Sequence, residues 1–151
     1  MSANTAPRFT NVANTPSLAF TSSFSANTKS DGAGTVGTDI GLLFTAGTNG
    51  SFVDAIVIMP AASAAATNTA QTVIRFYIST KTSGVTSNAD THLIAEVSLP
   101  AIPADHSTNA VNPYVVPIGR TIPSGTTILV SSHAAAAANT LWQVTAFGGD
   151  Y

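Results

Sequence analysis

Gln71–Ser79 reads QTVIRFYIS, and its alternation decides the fold. Ile74, Phe76 and Ile78 fall on one side, Arg75 and Tyr77 on the other. Successive side chains leave a strand on opposite faces, so a period of two marks a strand with one face in a core. Leu93–Leu99 (LIAEVSL) repeats the pattern, with Leu93, Ala95, Val97 and Leu99 on one face and Glu96 and Ser98 on the other. Pro100 and Pro103 then end it, because proline cannot donate to a ladder.

Similar segments lie on either side. Thr38–Thr45 (TDIGLLFT) and Phe52–Met59 (FVDAIVIM) flank Asn49-Gly50, a step that favours turns, and Pro60 stops the second. Tyr114–Ile118 (YVVPI) holds Pro117, which predicts an edge or bent strand. Pro123-Ser124-Gly125 is a turn leading into Thr127–Ser132 (TILVSS). Leu141–Phe147 (LWQVTAF) is the last strand, with Trp142, Val144 and Ala146 on one face. Ala61–Ala70 and Ala134–Ala138 have helix-forming composition. Both are shorter than a self-sufficient helix and lie between strands, so they read as loops. Roughly seven or eight short strands with turns between them predict an all-β fold. The expected form is a single jelly-roll-like β-sandwich over residues 31–151, with an orthogonal barrel as the alternative.

Residues 1–30 are rich in Asn, Thr, Ser and Ala, with Pro7 and Pro16 and isolated apolar residues. Proline bars a helix and extends the residue before it, which predicts an extended N-terminal arm. The arm either docks on its own domain or reaches a neighbouring subunit. Arg8, Phe9, Phe20 and Phe24 on the arm, with Tyr114 and Tyr151, are the candidate contacts to partners, since aromatics and Arg are enriched at interfaces.

Charge is scarce. Only 8% of the 151 residues are Asp, Glu, Lys or Arg, against about 25% in a typical domain. The formal net charge is -2 and the mean hydropathy +0.28. Ser and Thr, about a quarter of the chain, can solvate some of that surface. Weakly charged surface also marks contact sites, which favours assembly with other protein copies. Five scattered Lys and Arg make no basic stripe, so nucleic acid is not an expected partner. No run approaches the ~18 apolar residues of a membrane helix. The first eight residues lack the basic and apolar segments of a secretion signal, which predicts a product made in the cytoplasm.

No chemistry stands out. There is no Cys, and His92, His106 and His133 have neither the i, i+2 nor the i, i+4 spacing of a metal site. No Ser sits in a Gly-x-Ser-x-Gly elbow, and Asp31-Gly32-Ala33-Gly34 lacks the lysine and helix of a phosphate cradle. The expectation is a non-enzymatic protein without cofactor or metal.

Asp31–Ile40, Leu43–Pro60, Arg75–Ile78, Leu93–Pro100 and Pro123–Tyr151, ending WQVTAFGGDY, together resemble small structural proteins of tailed bacteriophages. The resemblance covers most of the chain after the arm. It implies a virion protein, with the capsid surface favoured over the tail. Such β-sandwiches often serve as capsid decoration (cement) proteins, commonly homotrimers that bridge subunits of the major capsid protein. The alternative it leaves is a tail or fibre component carrying a receptor- or glycan-binding sandwich.

Overall fold

The computed structural model describes residues 10–62, 68–103 and 110–151. Among these there are eleven strands and no helix. They are β1 (Val12–Asn14), β2 (Ser17–Phe20), β3 (Gly34–Val36), β4 (Gly41–Thr45), β5 (Ser51–Ala62) and β6 (Thr72–Ser79). β7 (Gly84–Thr86), β8 (Thr91–Leu99), β9 (Tyr114–Ile122), β10 (Thr127–Ser132) and β11 (Thr140–Asp150) follow.

The pairings nest. β1 lies against β11, β4 against β10, β5 against β9 and β6 against β8, all antiparallel. That is one long hairpin with its tip between β6 and β8. Rolling it brings β11 onto β5 and β10 onto β6, which gives one five-stranded and one four-stranded sheet. The front sheet runs β1-β11-β5-β9, with β2 also on β11, and the back sheet runs β4-β10-β6-β8. This is the jelly-roll arrangement of a sandwich. β3 and β7 form a separate ribbon.

The alternation read from Gln71–Ser79 sets the core. Ile74 and Phe76 of β6 meet Ile128 and Val130 of β10, and across the sandwich Ile56, Ile58, Trp142 and Val144 of the front sheet. Removing this apolar area from water is the main stabilising term, at about 25 cal/mol per Å².

Three local differences from the sequence reading have clear causes. Leu93 does not share a face with Ala95, Val97 and Leu99, because a bulge at Ile94 pairs Ala95 with Phe76 but Leu93 with Tyr77. An extra residue flips the parity of everything before it. Pro60 does not stop β5, which runs on to Ala62. Beyond Ile58 that strand has no β9 partner, and proline is tolerated at such an edge. Residues 61 and 62 are therefore strand rather than loop, whereas 134–138 carry no regular structure.

From residue 10 onward the arm folds onto its own chain, with two short extended segments. Ser17–Phe20 pairs with Trp142–Thr145, and Val12–Asn14 with Gly148–Asp150. Leu18 packs so tightly on Gly41 that a Cβ there would overlap its side chain. Asn14 Nδ2 donates to Asp150 Oδ1 at 3.0 Å, and Ser51 Oγ donates to the same carboxylate. Hydrogen bonds from Asn14, Ser51 and the Gly47 backbone hold the Asp150 carboxyl below the ordinary aspartate range. Its ionised form thus favours the folded state above the ordinary pKa, and that contribution is lost only as pH falls through the lowered one.

Candidate interaction surface

The two sheets are finished differently on their outer faces. Over the back sheet runs a strap, residues 25–40, carrying β3. Asn27 N donates to Ser132 O at 2.8 Å, and Asn27 Nδ2 to Ala33 O at 3.1 Å. At Gly32 the strap passes so close to Thr91 that a Cβ would lie 2.6 Å from its carbonyl oxygen, and φ is +83°. Only glycine fits there. Ile40, Tyr77 and Leu129, with Val36 and Leu42, form a second small core beneath it. This explains why all six residues of TILVSS are buried, on both parities.

Arg75 locks the strap. It is 9% exposed, and its Nη1 donates to Asn27 O at 3.4 Å and Lys29 O at 3.5 Å, while Nε reaches Glu96 Oε2 at 3.4 Å. Tyr77 OH donates to Lys29 O at 3.3 Å and also meets Ser131 Oγ. Burial pushes the Tyr77 hydroxyl pKa up, opposed by the Ser131 hydrogen bond. Arg75→Ala is expected to cost about 2 kcal/mol, because the buried Asn27 carbonyl and the part-buried Lys29 carbonyl lose their charged donor. Glu96→Ala is expected to cost under about 0.5 kcal/mol, since its side chain is 55% exposed. Urea denaturation of both variants reads the difference, and equal losses would contradict this account of the strap.

Among the described residues the front sheet has no such cover. Its outward positions form rows across the strands. Phe147, Ala55 and Pro117 make one; Ser17, Thr145, Val57 and Val115 the next; then Ala19, Gln143 and Met59; then Leu141 and Ala61. These rows contain no charged residue and only three polar ones, Ser17, Thr145 and Gln143. Val115 is 57% exposed and Phe147 45%. By contrast Lys29, Asp31, Asp39, Arg75, Lys81, Asp90 and Glu96 all belong to the back sheet, its strap or its turns. There Asp90 accepts from Ser87 and Thr91 and sits 3.8 Å from Lys81, and the Ser87 backbone bond leads in lowering its pKa. Asp54, Arg120 and Asp150 mark one end of the front sheet. The molecule is polarised, with one charged side and one neutral apolar side.

The free edges at β8 and β9 are not the sticky element. β9 carries Pro117 and a bulge, and Gly119 sits at φ +56°. β8 carries the Ile94 bulge and an exposed Glu96. Proline, bulges and charge all discourage edge-to-edge pairing. The apolar face of the front sheet is what remains.

The aromatic candidates are scattered. Phe20 is 1% exposed in the core, with Phe24 edge-on to it at 4.9 Å. Tyr114 packs edge-on against Trp142 at 6.2 Å. The Tyr151 hydroxyl meets Thr121 Oγ1 at 3.1 Å. Arg8 and Phe9 lie outside the described residues. The structure does not gather these into one patch, and Phe20 has no surface to offer.

Val57 and Met59 are outside the aromatic candidates read from the sequence. Their signal is the continuous apolar run Ala55–Met59 (AIVIM) within FVDAIVIM, since a strand apolar on both parities is covered on both faces. Among the described residues no three metal-ligating side chains converge, and no helix is long and apolar enough to cross a membrane. No family model, curated protein or solved structure matches the chain.

Proposed function

We propose that the chain is a virion structural protein of the capsid-decoration type, attached to neighbouring protein subunits through the outer face of its front sheet. The observation that supports this is the contrast between the charge-free rows of that face and the charged, self-covered back sheet. A monomer gains nothing from a neutral apolar sheet face, whereas a docked subunit excludes water from it. The virion setting rests on the resemblance to phage structural proteins. The action is passive: area buried across a joint between capsid subunits opposes their separation. A tail or fibre lectin would need aromatics displayed for sugar stacking, yet Tyr77 and Trp142 are buried and Tyr114 leans on Trp142.

Particles made without this protein are expected to lose heat tolerance, and added protein to restore it. If purified capsids never contain the protein and their tolerance is unchanged by its deletion, the reading is wrong.

A further inference from the structure

Between the free edges of the two sheets lies a groove of about 520 Å³. Its walls are apolar, from Ile78, Ile94, Ala95 and Ile118, and Arg120 stands at one end. Among the described residues the Arg120 guanidinium has no hydrogen bond and no ion pair. An apolar groove with one lone cation suits a carboxylate carried on an apolar body.

The same chain displays such a body. Asp54 is the extra residue of the β5 bulge and is exposed. It sits beside Phe147, which is 45% exposed, and its carboxylate is likewise unpaired among the described residues. Within one copy the two charges are strand neighbours that diverge. Arg120 is opposite Val53, whose side chain is in the core, and so faces the groove, while Asp54 emerges at the end of the outer face.

We propose that the Asp54–Phe147 corner of one copy seats in the β8–β9 groove of a second, with Asp54 pairing to Arg120 there. The contact is head to tail, since the two surfaces differ. One is a sheet face and the other that sheet's side, so the contact is heterologous, building a ring where its rotation closes and a filament where it does not. The proposal rests on the assembly reading above and names one neighbour, leaving the rows from Val57 to Ala61 for the virion surface.

Sedimentation of the full chain across concentration, with Asp54→Arg, Arg120→Asp and the double variant, tests it. Each single reversal sets like charges together and should weaken self-association about a hundredfold. The double variant should restore it. Both side chains are exposed, so thermal melts should match wild type and separate loss of contact from loss of fold. A monomeric wild type, unaffected single variants or an unrestored double variant would each overturn the proposal. A monomer that still binds particles would do so while leaving the decoration reading intact.

Discussion

Phe20→Ala is expected to destabilise the domain by about 3–5 kcal/mol, the usual cost of emptying a buried aromatic site. Phe20 looks like a residue of a dispensable arm, yet it is 1% exposed, pairs across the ladder with Trp142 and meets Phe24 edge-on. Its loss leaves a cavity between the sheets beside Trp142, and the β2–β11 ladder holds the backbone too firmly to collapse into it. Against a total stability of about 5–15 kcal/mol, that is a large fraction. Urea denaturation should give a lower midpoint at an unchanged slope. Val12→Ala on the same arm should change almost nothing, since Val12 is 63% exposed. A loss below about 1 kcal/mol at Phe20 would mean that the arm is not part of the fold in solution.

The double substitution Met59→Lys/Val115→Lys is expected to abolish attachment to the particle while leaving the chain folded. Both residues lie on the outer face, in adjoining rows flanked by Gln143 and Val57. A lysine at each site stays hydrated in the free protein, so stability should move by no more than about 0.5 kcal/mol per site. On docking, the same ammonium groups must enter an uncharged joint without partners, which costs several kcal/mol. That corresponds to a loss of at least about a hundredfold in affinity. Co-sedimentation with particles lacking the wild-type protein measures it. Lys29→Glu/Lys81→Glu on the back side should bind as wild type does.

Much of the fold is legible in the residues. Gln71–Ser79 and Leu141–Phe147 alternate cleanly because one face of each meets the core, and the Pro and Gly punctuation places most strand ends. What escapes is whatever depends on another strand. Leu93 changes face because of a bulge that only the pairing with β6 defines. Pro60 survives inside a strand because β9 has already ended. The arm's docking is decided by Trp142 and Gly41, more than 100 and 20 residues away in sequence respectively.

The candidate surface was harder to read for a related reason. In FVDAIVIM both parities are apolar, so the pattern signals two covered faces without saying which belongs to the core. Choosing aromatics as contacts then selected Phe20, whose size suits the interior as well as an interface. The polarity of the molecule needs the back-sheet strap, and the strap is held by Arg75 and by backbone hydrogen bonds that no periodicity announces.

Hydrogen–deuterium exchange of the free protein against the particle-bound protein tests the docking face most directly. The account predicts slowed exchange in β9 and β11, across Val115 and Gln143, with the strap at residues 27–36 unchanged. Protection confined to the strap and back sheet, or no difference between the two states, would contradict it.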